Sequence, residues 1–259
     1  MHNKQENLIK NLGSYNLTEI THNFDKNTIN SLYHGEPILW LFLKNTINIL
    51  NQNKPSYFNK FISIYHQLIE LGANPNLASE NNGNTLLNYF IQYDSVVFDL
   101  NNVIFKKLME TCDINKSNHL SLSPFANCLK FSKTEFAKVI LNNKKFNISS
   151  YDIIYSIMYS SDPTILDIVL NQDLDYTSIK NEEKTNLLQL AVKHNNDFAI
   201  DCLILKNINP FSKDWNNKNT IDYISEFNNK NPHLKKYVEF HKLNNNLPYK
   251  QIKDKHLKI

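Results

Sequence analysis

Apolar positions along this chain come in pairs of short helical runs, and the polar stretch between successive pairs is always of one kind. The pattern is clearest over Leu68–Leu87, LIELGANPNLASENNGNTLL. Ile64, Leu68, Ile69 and Leu71 share one face at helical spacing. Gly72 ends that helix, because glycine reaches the left-handed conformation at no steric cost. Asn74, Pro75 and Asn76 suit an extended turn, and Asn82-Gly83 is a tight-turn pair. Asn84-Thr85 then caps a second helix that carries Leu86, Leu87, Phe90 and Ile91.

The same helix–finger–helix order recurs along the chain. Anchored on the residue that opens each first helix, the units begin at Glu36, Thr85, Ser123, Asp152, Asn186 and Asn219, with gaps of 49, 38, 29, 34 and 33 residues. A period near 33 residues predicts an array of stacked helical pairs. The long first gap is absorbed by residues 45–57, which read as an extended first helix followed by a loop insertion. Residues 1–34 are polar and loosely periodic. Leu8, Ile9 and Leu12 predict one short helix and Thr28–Tyr33 another, together an N-terminal cap with a solvated outer face. The last helix, Pro232–Leu243, is lysine-rich on one face and suits a C-terminal cap.

The finger over Leu68–Leu87 resembles the junction between two ankyrin repeats, roughly GADxNxxDxxGxTPLHxA. The run SPFANCLKFSKTEFAKVIL from Ser123 is similar to TPLHxAAxxGHxEIVKLLL at nearly every apolar position, and DWNNKNTIDYI from Asp214 resembles a terminal repeat. There are departures. Only Gly35, Gly72 and Gly83 occupy glycine positions of the pattern; Thr111, Lys144, Asp173 and Asn207 stand at the others, and TPLH is nowhere intact. The resemblance implies an all-α fold, an ankyrin-like solenoid of about six degenerate repeats with helical caps. The repeats would be 35–78, 79–117, 118–148, 149–180, 181–213 and 214–243, followed by a lysine-rich tail, 244–259. Another helical-pair solenoid stays open as the alternative.

Composition narrows the function. The chain has 259 residues and a net charge of +3, and every basic residue other than histidine is lysine. Without the planar fork of arginine, sequence-specific nucleic-acid binding is disfavoured. The abundance of Asn, Lys and Ile suits an AT-rich genome. Three cysteines without paired spacing indicate reduced thiols and a reducing cytosol. Cys128 and Cys202 fall in apolar helical runs and are expected to be buried. The start, MHNKQENLIK, has no charged-then-apolar leader pattern, and the longest apolar run, Ile38–Leu43, is far too short to span a membrane.

Catalytic chemistry finds little support. Nine histidines are scattered without a His-Glu-x-x-His or paired Cys-x-x-Cys arrangement for zinc, and four unclustered glycines make no phosphate loop. Cys128 with His194 would need an exposed, electropositive thiol, yet Cys128 stands where the resemblance places a small buried alanine. Glu182-Glu183 and Asp173/Asp175 read as solvated finger residues. No cofactor, metal or catalytic residue is expected.

Binding finds more. In ankyrin proteins partners meet the fingers and the concave face lined by first helices. By that resemblance the end of each first helix points to the partner: Lys44/Asn45, Gln92/Tyr93, Lys130/Phe131, Tyr159/Ser160, Lys193/His194 and Glu226/Phe227. Rings and lysines recur there, and rings dominate binding hot spots. The expected contacts are Tyr93, Lys130, Phe131, Tyr159, Lys193, His194 and Phe227, with Trp215 on a finger tip. Packing of these rings on the neighbouring repeat is the competing reading. The implied function is a monomeric, non-enzymatic module that binds a protein with an acidic rim and apolar centre. The AT-rich bias and short lone array resemble ankyrin-type effectors of intracellular bacteria, sent into a host cell by a leader-independent route, with the tail as export signal. A viral ankyrin host-range protein, or an enzyme with its site in 1–34 or 45–57, are the alternatives.

Overall fold

A computed structural model describes the backbone of residues 28–51, 57–93 and 98–244. The expected Leu8–Leu12 helix, most of the loop insertion and the tail beyond Asn244 lie outside the described residues. The chain divides after Phe146 into two compact units.

Unit 1 opens with a two-residue hairpin, β1 (Leu32–Tyr33) against β2 (Glu36–Pro37), in register Tyr33↔Glu36. His34 and Gly35 both take positive φ, 53° and 77°, the conformation a two-residue hairpin turn demands. The helix expected over Thr28–Tyr33 is therefore not formed. The hairpin takes its end as strand, and residues 28–30 are a turn. Six helices follow: α1 (Ile38–Asn51), α2 (Tyr57–Glu70), α3 (Leu86–Tyr93), α4 (Phe98–Thr111), α5 (Pro124–Lys130) and α6 (Thr134–Leu141). The first helices α1, α3 and α5 pack side by side, each against its own second helix. As the spacing predicts, α1 is extended, at 14 residues against 7 for α5.

The loops lock these pairs in register. Gly72, at φ 95°, ends α2 with its N–H on Ile69 O, while Ala73 N–H reaches Leu68 O. This is the paired closure of a left-handed C-cap. Gly83, at φ 70°, is needed twice over, for any Cβ there would stand 2.3 Å from the His119 ring and 2.6 Å from its backbone nitrogen. That close approach lets neighbouring fingers pair, His119 N–H on Asn82 O.

Unit 2 holds α7 (Ser150–Tyr159), α8 (Pro163–Leu170), α9 (Leu187–Lys193), α10 (Asp197–Ile204), α11 (Thr220–Glu226) and α12 (Pro232–Asn244). α7, α9 and α11 form one layer and α8, α10 and α12 the other. Helices of seven to ten residues are marginal alone, so their ends matter. Ser149, Asn186 and Asn219 each cap a first helix with a reciprocal capping box to Asp152, Gln189 and Asp222. The fourth anchor is thus corrected from Asp152 to Ser149: Asp152 is the third residue of α7, and that helix starts almost a turn earlier than α9 or α11. At C-termini asparagine replaces the missing glycines. Asn195, Asn207 and Asn228 have φ of 50°, 57° and 48°, a conformation asparagine tolerates better than most residues. Leu188 and Leu203 are fully buried between the layers.

Candidate functional site

Three first helices, α3, α5 and α9, are almost wholly enclosed, with only their ends outside, whereas α11 buries only Thr220 and Tyr223. In α3 residues Leu86 to Ile91 are buried, and only Gln92 and Tyr93 reach solvent. In α5 the buried run is Pro124 to Leu129, leaving Lys130 and the capping residue Phe131 half-exposed. In α9 it is Leu187 to Val192, leaving Lys193 half-exposed and His194 exposed. The cause is local. Each helix closes at its seventh or eighth residue, so the last side chains clear the layer behind them.

In unit 1, Tyr93 is 48% exposed and its ring lies 4.7 Å from that of Tyr89. Tyr89 in turn packs on Trp40 of α1 at 3.9 Å, and Lys44 Nζ sits 5.6 Å over the Trp40 ring. Burial, then the Tyr93 hydroxyl and Glu36, pushes the Tyr89 phenol up to about 12, so it stays a neutral donor. Trp40 Nε1 is buried with no acceptor.

In unit 2, Tyr159 is 45% exposed at the end of α7 and stacks on Tyr155 at 5.5 Å. The His194 ring stands 6.5 Å from Tyr159. Partial burial, then Lys193, holds the His194 imidazole below its ordinary pKa. Phe227 caps α11, stacks on Tyr223 at 6.0 Å and borders a cleft of about 360 Å³ with Asn195, Asp197 and Lys230. Trp215 is separate from this row, on a finger whose backbone N–H donates to Glu183 O of the preceding finger. It is 65% exposed with Lys184 Nζ 5.8 Å over its ring. Asp214 anchors that finger, accepting from the Tyr223 hydroxyl at 2.6 Å and Lys218 N–H at 2.9 Å. Burial alone would raise its carboxyl, but these hydrogen bonds outweigh it and hold it below the usual range.

Every ring and lysine singled out from sequence is thus at least partly exposed. Trp40, Tyr89 and Tyr155, the inner members of each ring chain, were not anticipated. Their signal was the i, i+4 spacing of Tyr89–Tyr93 and Tyr151–Tyr155–Tyr159.

The thiols divide. Cys128 is wholly buried and burial raises its pKa well above the usual thiol, so no thiolate forms at neutral pH. Cys112 is buried too and pushed up to about 12, chiefly by burial. Cys202, expected to be buried, is only half so; it faces outward from α10 near Asp167 and Asp201, which add to burial in raising its thiol. Among the described residues no three histidine, cysteine or carboxylate side chains are grouped to hold a metal. None of their helices is long and apolar enough to cross a membrane.

No family model matches the sequence. No curated protein matches it either. Among solved structures, the chain is similar to the crystal structure of the ankyrin repeat domain of Bcl-3, a unique member of the IkappaB protein family. The TM-score is 0.52 at 13% identity, over 85% of this chain and 90% of that one. At that identity the likeness is one of fold. It agrees with the helix pairs, fingers and caps built up above: the fold is all-α and ankyrin-like.

Proposed function

We propose that the protein is a non-enzymatic binding module whose partner is another protein, held by first-helix ends and finger tips. The observation that carries this is the pattern of exposure. In α3, α5 and α9 the helix is sealed into the core up to its last positions, and the ends of the first helices leave Tyr93, Lys130, Phe131, Tyr159, Lys193, His194 and Phe227 at least partly exposed, with Trp215 on its finger. A ring left half-exposed has its hydrophobic contribution still to give. An ankyrin-like fold suits such a role, because short repeats present a broad rigid surface.

On this reading the repeats run from 35 to 243 as a monomeric array, with a cap before and a tail after. The partner offers an apolar centre inside an acidic rim. A host-cell protein met by an exported bacterial effector is the setting the arginine-free, Asn- and Lys-rich composition supports.

The test is recovery of a partner from host lysate, followed by paired substitutions in the full chain. Tyr93→Ala with Phe131→Ala in unit 1, or Tyr159→Ala with His194→Ala in unit 2, is expected to weaken binding at least tenfold with little change in melting temperature. A partner that holds both variants normally would place the site elsewhere.

A further inference from the structure

The two units present unlike chemistry at equivalent positions. Lys44, Gln92 and Lys130 are each the seventh residue of α1, α3 and α5. These helices lie side by side, so the three stand level, with the exposed Tyr93 ring beside the middle one. No described carboxylate pairs with Lys44 or Lys130. Lys44 rests on the Trp40 ring instead. Among described carboxylates of unit 1, Glu135 is held by Lys138 and Glu36 Oε1 by Asn81, while Glu36 Oε2 is buried without a partner. In unit 2 the seventh residues are Ser156, Lys193 and Glu226, one neutral and two of opposite sign, and Glu226 is held by Lys218 at 2.6 Å.

We propose that this surface of unit 1 takes an extended acidic peptide segment, with two carboxylates flanking one apolar side chain. The inference rests on the protein-binding reading and names the chemistry of the partner. Neighbouring packed helices are about 8–10 Å apart, which sets Lys44 and Lys130 roughly 16–20 Å apart across α3. Extended chain covers about 3.3 Å per residue, so the two acids fall about five or six residues apart. The apolar side chain between them meets Tyr93 and the half-exposed Phe131. The carboxylate at the α1 end pairs with Lys44. Lysine contributes as a point charge, so recognition is of charge and spacing and less of carboxylate geometry.

Calorimetric titration of the full chain tests this with three seven-residue peptides, identical but for glutamate, glutamine or lysine at both ends, each with a central leucine. The glutamate peptide is expected to bind saturably and at least tenfold tighter than the glutamine peptide, and to weaken as salt rises. Lys44→Glu with Lys130→Glu should abolish its binding and admit the lysine peptide, a reversal that loss of folding cannot produce. Equal binding of the glutamate and glutamine peptides, unchanged binding by the doubly reversed variant, or no saturable heat with any peptide at millimolar concentration would overturn the proposal. Tyr93→Ala separates the two levels. If it weakens peptide or partner binding while end charge makes no difference, acidity falls and the binding reading stands. If no ligand responds to it, that reading falls for unit 1 as well.

Discussion

Units 1 and 2 build the same helix-pair fold from different cores. Unit 1 is filled with stacked rings. Phe42 lies on Phe61 at 5.3 Å, and Phe105 on Phe136 at 4.1 Å with planes 8° apart, with Phe90 against both. Unit 2 is filled with aliphatic side chains. Ile153, Ile157, Leu166, Val169, Leu188, Leu190, Ile200 and Leu203 are all 1% exposed or less. Its Tyr155–Tyr159 and Tyr159–His194 pairs lie toward the surface, while Tyr237 and His241 of α12 form a buried pair. The fold therefore does not require one kind of core. It requires that each short helix be closed at both ends and that successive fingers meet. Capping boxes, asparagines in the left-handed conformation and finger-to-finger hydrogen bonds meet those needs with polar residues. The apolar positions are left free to differ, provided volume is conserved.

The sharpest way to break this comparison is to cut each core at its centre. Phe105→Ala is expected to cost about 3–5 kcal/mol, and Leu188→Ala or Leu203→Ala about 2–5 kcal/mol, read from urea midpoints. The volume-keeping changes separate the units further. Leu203→Met should cost less than about 1.5 kcal/mol. Phe105→Leu should cost more, because it also gives up ring stacking worth about 0.5–1.5 kcal/mol per pair. Unchanged midpoints for the two leucine truncations would mean that the layers are assigned wrongly.

Closure comes next in size. Gly83→Ala forces a side chain into positive φ, worth about 1–2 kcal/mol, and drives it into His119. In a His119→Ala background the ring part of that clash is relieved and the backbone part persists, so the penalty should fall without vanishing. Asn186→Ala, which opens the capping box of α9, should cost about 0.5–2 kcal/mol. Asn186→Ser should recover most of it. Equal melting temperatures for the alanine and serine variants would show that tertiary packing alone holds α9.

A pH titration reaches both units at once. Burial first, then neighbouring hydroxyls or carboxylates, raises the Tyr89 and Tyr223 phenols to about 12. An unfolded tyrosine titrates near 10. Because the folded pKa is the higher one, the stabilisation is fully present below pH about 10 and is lost as pH rises from about 10 to 12. Chemical-denaturation midpoints should fall over that window, and less so in Tyr89→Phe and Tyr223→Phe. A profile flat to pH 12 would contradict both environments. The smallest expected effect is on thiol chemistry. Cys202 should label faster than Cys128 in the native protein, and all three cysteines should label rapidly in denaturant.

Much of this was legible in the sequence for a simple reason. Helix ends are local events, and a Ser-Pro, an Asn three residues before Gln, or a Gly after an apolar run states its role within a few residues. Ser123 opens α5 beside Pro124, Asn186 opens α9 and Gly72 closes α2, as the chain pattern predicts. Exposure of Tyr93 and Trp215 was legible too, since a ring at the last turn of a short helix or on a finger tip has no layer in front of it. The fourth anchor slipped because Ser149 and Asp152 are both good capping residues, and a capping box uses the two together. Thr28–Tyr33 misled because a hairpin depends on pairing with residues beyond it. Cys202 misled because an apolar neighbourhood in sequence does not say which face of α10 looks out.

The sequence by itself determined the repeat, the helix pairs and the places where they stop, because period and capping act over distances shorter than one repeat. Only the tertiary structure decided which residues stand side by side. Lys44, Gln92 and Lys130 are far apart in the chain and come level because three first helices pack in one layer. Trp40 reaches Tyr89, and through it Tyr93, across a helix interface that no local pattern announces. The physical reason is that packing between layers is set by volume and shape summed over many residues. Charge at the surface is then read out wherever that packing happens to bring the helix ends together.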